Sequence, residues 1–224
     1  MATYFNENTI LFYDGQMMRA TEAHTNLYGQ TLHYGYGAFE GIRSYDTDHG
    51  PRIFKAREHY ERLIRSCELL GIPFAYSVEE MTQISYKVLE SNGFSDAYLR
   101  PLVICDPSMT LINGQSTRLV IAAWEWGAYL GEKLLSLKIS PYCRPHPRSV
   151  HMEAKAVGHY VNSILASSDA RKGGYDEALL LDCDGYLAEG PGANLFFEKD
   201  GKLYTPAHGH ILLGITRATV FEMC

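Results

Sequence analysis

The chain has 224 residues, of which 20 are Lys or Arg and 26 are Asp or Glu, giving a net charge of −6, and 46% are hydrophobic. That apolar content excludes a disordered chain, the mild acidity and lack of a basic stripe argue against nucleic-acid binding, and no apolar run approaches the ~18 residues of a membrane span. The opening MATYFNENTI has neither the basic start nor the apolar core of a signal peptide.

Asp14-Gly15, Asp184-Gly185 and Asp200-Gly201 each separate two apolar or aromatic runs. Asp-Gly tolerates positive φ at both turn positions, so three hairpins are predicted. A helix over Ala56 to Leu70 places Tyr60, Leu63, Ile64, Cys67 and Leu70 on one face and stops at Gly71 and Pro73. A second helix opens with Ser77 and Glu80 at capping-box spacing, carries Met81, Ile84, Val88 and Leu89 as its stripe, and ends at Asn92-Gly93. Tyr98 to Cys105 and Arg118 to Trp124 read as buried strands, joined by the loop DPSMTLINGQS.

WEWGAYLG, from Trp124 to Gly131, reads as a packed crossing between domains. Beyond it the pattern predicts a strand around Leu134 to Tyr142, an irregular RPHPRSV stretch and a helix from about Val157 to Arg171. Strands are predicted at Glu177 to Cys183, Tyr186 to Ala188, Asn194 to Lys199 and Lys202 to Thr205. The expected organisation is a small α/β domain over 1–125, a linker over 126–133 and a second domain over 134–224.

The five cysteines, Cys67, Cys105, Cys143, Cys183 and Cys224, are odd in number and contain no C-x-x-C pair. Each lies in or beside an apolar segment, where cysteine acts as a small hydrophobe, and a reducing, cytoplasmic setting is expected. His208 and His210 form an H-x-H pair without an acidic or cysteine partner at ligand spacing, so no metal site is expected.

Several residues can carry chemistry. Lys155, in EAKAVGHY, has small neighbours that leave room near its backbone. Desolvated, its amine is nucleophilic, as a Schiff-base lysine requires; otherwise it is a surface lysine at a helix start. Glu189 precedes Gly190-Pro191-Gly192, whose irregular backbone can aim a carboxylate into a cleft or leave it in solvent. LLGITR is a Gly turn with Thr216 as N-cap, either an ordinary helix start or a phosphate cradle. Arg100 sits in an apolar strand and Arg57 opens the first helix; each faces an anion or a structural ion pair. HYGYGAFEGIR, with Tyr34, Tyr36 and Phe39 among its glycines, is a pocket wall or an aromatic core segment.

Together the stretches HYGYGAFEGIRSY, REHYERL, AYLRPL, WGAYLG, EAKAVGHYVNS, GYDEALLLD, EGPGANLFFEKDG and LLGITRATV resemble the class IV pyridoxal-phosphate aminotransferases, and among them the branched-chain amino acid aminotransferases. The resemblance spans essentially the whole chain. It implies a mixed α/β (α+β) two-domain fold of type IV, like that of D-amino acid aminotransferase, with the second domain incomplete. It implies that Lys155 takes the aldehyde of pyridoxal 5'-phosphate, that Tyr160 hydrogen-bonds the ring oxygen and that Glu189 pairs with the ring nitrogen. Arg57, Ile215 and Thr216 are implied to hold the phosphate, with Leu212 packed on the ring. Tyr34, Phe39, Tyr98, Trp126 and Tyr129 are implied to line the substrate pocket, and Arg100 to take the side-chain carboxylate of glutamate. The implied reaction moves an amino group between Leu, Ile or Val and 2-oxoglutarate by a ping-pong route. A homodimer is expected, with the loop Asp106 to Ser116 reaching the partner's site. One departure is His159, where relatives commonly carry Asn. Because family members are longer and the final helix meets no stop signal before Cys224, further strands and helices are expected beyond it. D-amino acid aminotransferase and aminodeoxychorismate lyase share the fold and the lysine, and a shortened non-catalytic scaffold is the reading from another class; AYLRPL together with EGIR favours the branched-chain type.

Overall fold

The computed structural model describes residues 4–127, 131 and 133–224. The chain divides into two compact units, Met1–Gly131 with Lys155–Val157, and Glu132–Ala154 with Gly158–Cys224. Lys155 and its two followers thus belong with the first unit, an excursion that a contiguous division of the chain does not anticipate. Of the expected linker, residues 128–130 and 132 lie outside the described residues, and Tyr129 with them.

In the first unit, strands β1 (Ile10–Tyr13) and β2 (Gln16–Arg19) form a hairpin. Asp14 and Gly15 sit at φ 43° and 95°, the left-handed conformations that the Asp-Gly pair predicts. Helix α1 (Gln30–Tyr34) leads into β3 (Gly37–Phe39), β4 (Ile42–Tyr45) and β5 (Arg52–Ile53). Helices α2 (Ala56–Leu70) and α3 (Val78–Asn92) follow, then the long strands β6 (Ala97–Cys105) and β7 (Thr117–Trp124). The sheet order is β2-β1-β7-β6-β4-β5, with β3 also paired to β6.

Both helices end where the sequence signals place their ends. Ser77 accepts from the Glu80 N–H while the Glu80 side chain accepts from the Ser77 N–H, and Gly93 closes α3 at φ 65°. The helices bury Tyr60, Leu63, Cys67, Met81, Val88 and Leu89 against Leu99, Val103, Leu119 and Ile121. Each large apolar side chain so buried contributes about 1.5–3 kcal/mol of transfer free energy.

Strand β6 explains how a proline and an arginine live in an apolar run. Ala97, Leu99, Pro101, Val103 and Cys105 are buried, while Tyr98 and Arg100 share the opposite, half-buried face. β3 pairs with Leu102–Ile104 and β4 with Ala97–Leu99, so the neighbour breaks off opposite Pro101. Proline has no N–H to leave unpaired there, and its carbonyl accepts from the Glu40 N–H at 2.8 Å.

In the second unit, β8 (Leu137–Ile139) runs parallel to β9 (Glu177–Leu181), and β10 (Leu187–Glu189) pairs antiparallel with β9. Helix α4 (Tyr160–Lys172) packs Ala166 and Ala170 on Ala178 and Leu180. A hairpin of β11 (Phe197–Lys199) and β12 (Lys202–Tyr204) and helix α5 (Ile215–Met223) complete it.

Four expectations are corrected. The strand expected over Leu134 to Tyr142 is only Leu137–Ile139, and Leu134 is 98% exposed. An apolar run alone does not fix strand ends, and here pairing to β9 does. At Asp184-Gly185 only the glycine is left-handed, at φ 87°. The Asp182 carboxylate accepts from the N–H groups of Asp184 and Tyr186, an Asx arrangement that replaces the two-residue turn. Thr216 is not the cap of α5: Gly214 is, because Asn194 Oδ1 fills the space a Cβ would need. Finally, Cys67 and Cys105 are buried, but Cys143, Cys183 and Cys224 are exposed. Those three lie outside the strands and helices, where neighbouring apolar residues do not cover them.

No helix among the described residues is long and apolar enough to cross a membrane.

Candidate active site

The first unit holds a cationic centre built on Lys155. The Lys155 N–H donates to Ser66 Oγ at 2.9 Å, and its C=O accepts from the Phe39 N–H at 3.1 Å. An Ala38–Ala156 bridge continues that pairing. The backbone is therefore fixed against β3 and α2, and the side chain is directed by it. The amine lies 5.0 Å from the Phe39 ring centroid. Burial lowers its pKa from 10.5 to about 8, with Glu40 opposing and Arg62 reinforcing the shift. The lysine is thus poised, not a surface lysine.

Glu40, fully buried, is the anion of this centre. Arg62 donates through Nε to Oε1 at 2.7 Å and through Nη2 to Oε2 at 2.8 Å, a bidentate fork. His59 Nδ1 meets Oε2 at 2.7 Å. Burial pushes the Glu40 carboxyl up, but the charge of Arg62 and the hydrogen bonds of His59 and Arg62 outweigh it and take it to about 2.

The half-buried face of β6 supplies the walls. Arg100 lies 4.6 Å from the Phe39 centroid and 5.2 Å from that of Tyr98, and donates to Tyr98 Oη at 2.9 Å. Tyr98 packs edge-on against Trp126 at 4.8 Å. Gly41 lets the Tyr98 hydroxyl in, since any Cβ there would collide with it. The buried Nε of Arg100 has no hydrogen-bond partner among the described residues, an unmet donor suited to an anion.

The second unit holds an anionic centre built on Glu189, which is 4% exposed. Arg144 Nε lies 2.9 Å from Glu189 Oε1, Asn194 Nδ2 donates to Oε2 at 2.9 Å and the Leu212 N–H donates to Oε2 at 3.2 Å. Arg144 is itself anchored: Nη1 donates to Asn162 Oδ1 and Ser163 Oγ at 3.0 Å, and Nη2 to the Gly190 carbonyl at 2.7 Å. The same Asn194 amide donates to the Leu212 carbonyl, tying Leu212 to the carboxylate from both sides. Tyr160 is half-buried at the start of α4. The start of α5, Ile215 and Thr216, carries no side-chain cap on its N–H groups, leaving donors of the kind that bind anions.

The structure gathers Lys155, Phe39, Tyr98, Arg100 and Trp126 in one unit, and Glu189 and Leu212 in the other. Two expected residues stand apart. Tyr34 is exposed at the end of α1, with its hydroxyl donating to the Met109 carbonyl at 3.3 Å. Arg57 is 70% exposed and pairs with Glu61 and Glu79 at 3.8 and 3.7 Å. Arg57 and Arg62 are five residues apart, about 140° around a helix, so they flank the buried face of α2 on opposite edges. Arg62 is the one turned to Glu40 and Lys155. REHYERL contains both arginines, and helical phase relative to His59 and Ser66 separates them. Glu40, Arg62, Arg144 and Asn194 were not among the residues singled out by sequence. The signals were a lone acid in FEGIR, the second arginine of REHYERL, the arginine of YCRPH and the amide of GANLF.

The amino-transferase class IV family model matches residues 37–224. A branched-chain-amino-acid aminotransferase of Pseudomonas aeruginosa is 40% identical over 96% of this chain and 72% of its own length. The solved branched-chain aminotransferase of the thermophilic archaeon Thermoproteus uzoniensis, crystallised with norvaline, superposes with a TM-score of 0.93 at 36% identity, covering 96% of this chain and 74% of its own. A solved branched-chain amino acid aminotransferase of T.th., complexed with N-(5'-phosphopyridoxyl)-L-glutamate, gives 0.90 at 37% identity, covering 97% and 72%. With the poised lysine and the clasped carboxylate each in place, the chain belongs to the class IV aminotransferases, among the branched-chain-amino-acid aminotransferases.

Proposed function

We propose that this chain transfers the amino group between branched-chain L-amino acids and 2-oxoglutarate, using pyridoxal 5'-phosphate carried on Lys155. The observation that carries the reading is the Lys155 amine, brought to about 8 within a wall of Phe39, Tyr98 and Arg100. Each centre fits what the cofactor asks of it. An aldehyde needs an amine with an accessible neutral form, and Lys155 has one. A protonated ring nitrogen needs a fixed anion, and Glu189 is held as an acceptor by Arg144, Asn194 and the Leu212 N–H. The relative complexed with a phosphopyridoxyl-glutamate adduct supports both the cofactor and the second substrate.

When bound, the cofactor supplies an electron-withdrawing ring conjugated to the substrate nitrogen. The protein's own groups do the rest. Lys155, as a neutral amine, would take the proton from the substrate Cα. Glu189 would hold a positive charge on the ring nitrogen, with Tyr160 assigned to the ring oxygen and Leu212 to the ring face. Arg62, in place of Arg57, is the phosphate arginine of this reading, and the N–H groups of Ile215 and Thr216 offer anion donors. The wall of Phe39, Tyr98 and Trp126 accepts an aliphatic side chain, and Arg100 meets the glutamate carboxylate through its unmet donor. Because one enzyme form must release its 2-oxo acid before the next binds, the kinetics are ping-pong.

We assign a homodimer as well. Met109, Leu111 and Ile112 are 50%, 86% and 69% exposed on the Asp106–Ser116 loop, which Gln30 holds by donating to the Thr110 and Ile112 carbonyls. Tyr34, beside that loop, then serves a partner's pocket, and light scattering tests the state.

The decisive experiment is reduction. Adding pyridoxal phosphate should give a visible absorption band, and borohydride should fix the cofactor on the peptide holding Lys155. A label elsewhere, or none, would remove the reading. A panel of leucine, D-alanine and aminodeoxychorismate separates it from its nearest relatives in fold.

A further inference from the structure

Cys143 and Cys183 are two exposed thiols of the second unit that face each other, with Sγ atoms 3.7 Å apart. They come from different segments, one just before Arg144 and one just after β9. The backbones that carry them are tied: the Arg144 N–H donates to the Leu181 carbonyl at 2.8 Å, and the Cys183 thiol donates to the Arg144 carbonyl at 3.3 Å. Asn162 Nδ2 holds the Cys143 carbonyl at 3.0 Å. A disulfide has its sulfurs about 2.0 Å apart, so closure needs about 1.7 Å. Both side chains are exposed, so rotation about their Cα–Cβ bonds is open to bring the sulfurs together.

We propose that Cys143 and Cys183 form a reversible disulfide, accepting oxidation from a small-molecule disulfide. One protein thiolate attacks a sulfur of the reagent, forming a mixed disulfide and expelling one reagent thiol. The second protein thiolate then attacks the protein-side sulfur and expels the other. The protein gives up two protons and two electrons, and the reagent's S–S bond takes them to become two thiols. Two of the remaining cysteines do not compete within the fold. Cys67 and Cys105 are buried, which pushes their thiols up to about 12 and about 11 and keeps them protonated.

The bond would close a loop that contains Lys155 and brace the residue next to Arg144, the arginine that clasps Glu189. Its first effect is on stability, through the restricted unfolded chain, and a rise in thermal midpoint of about 5 °C is expected.

The test incubates the full chain, loaded with pyridoxal phosphate, with oxidised glutathione and digests it without reductant. The expected result is an intact-mass loss of two hydrogens and a peptide pair joined through Cys143 and Cys183, reversed by dithiothreitol. Cys143→Ser and Cys183→Ser should each abolish the link, and Cys224→Ser should leave it. Glutathione adducts that persist without a link, or links only through Cys224, would overturn the proposal. A linked protein that melts no higher than the reduced one would overturn the bracing.

Discussion

Both chemical centres are a buried carboxylate clasped by an arginine, yet they are built for opposite ends. At Glu40 the arginine takes both oxygens in a fork and His59 adds a third contact. That carboxylate is spent on cations of its own unit, and its surplus field acts on Lys155. At Glu189 the arginine approaches one oxygen through Nε, while Nη1 and Nη2 are committed to Asn162, Ser163 and Gly190. An amide and a backbone N–H complete the set. Arg144 is thus an anchored support for Glu189, whereas Arg62 engages both oxygens of Glu40. One pairing of residue types is a bidentate fork beside a buried lysine in the first case and a single-nitrogen contact from an anchored arginine in the second.

The largest expected effect sharpens the contrast at the lysine. Lys155→Ala should abolish turnover, since the first centre offers Lys155 as its amine, while the fold persists. The protonation signs support that separation. The folded pKa, about 8, lies below the ordinary 10.5. Burying the charged lysine therefore costs stability, fully below about 8 and not at all above 10.5. The variant should be no less stable than the parent near neutral pH. Residual turnover within tenfold of the parent would break the assignment.

Glu189→Gln comes next. A neutral amide keeps the Leu212 contact but cannot hold a positive ring nitrogen, so a loss of about 10²–10³ in kcat is expected with cofactor still bound. Steady-state kinetics beside a cofactor titration would show it. Equal loss of rate and of cofactor affinity would make Glu189 a binding group only.

Glu40→Gln should hurt stability more than chemistry, the reverse of Glu189→Gln. It leaves the Arg62 guanidinium a largely buried, uncompensated charge, costing about 3–5 kcal/mol in chemical denaturation. The Glu40 pKa is lowered to about 2 from the ordinary 4.5. Its contribution is therefore present above 4.5 and lost as pH falls toward 2. The variant should show a flatter acid limb over that window. An unchanged limb would mean the clasp does not stabilise the fold.

What sequence could and could not reveal follows the same division. The bounds of α2, the capping box of α3 and the Asp14-Gly15 turn are local in origin, and they form as local rules require. The alternation in AYLRPLVIC already put Tyr98 and Arg100 on one face. Lys155 and Glu189 were legible as chemistry-bearing types in unusual contexts. Glu40, Arg62, Arg144 and Asn194 were not, because their meaning lies in partners 18 to 46 positions away or across a turn, such as Arg144 to Asn162 and to Gly190. Arg57 and Arg62 show the same limit: both lie on α2, and it is tertiary pairing that separates the exposed Arg57 from the Arg62 that meets Glu40.

Arg100→Ala tests the wall. The guanidinium rests on Phe39 and Tyr98 and has one buried donor unmet. Glutamate should lose about ten- to a hundredfold in kcat/KM, the worth of a charged hydrogen bond, and leucine much less. Equal losses would make Arg100 structural.

The smallest effect is expected at Arg57. Its side chain is 70% exposed, and its pairs with Glu61 and Glu79 are long, at 3.8 and 3.7 Å. Such surface pairs contribute about 0–1 kcal/mol. Arg57→Ala should therefore change stability by about 0.5 kcal/mol or less and leave cofactor affinity alone. Arg62→Ala should weaken cofactor binding at least tenfold and destabilise the Glu40 clasp. The two variants sit on one helix and remove the same charge, so a fluorescence titration with pyridoxal phosphate compares them cleanly. If Arg57→Ala weakened binding as much as Arg62→Ala, the exposed edge of α2 would be the one that meets the phosphate, and the clasp at Glu40 would be structural alone.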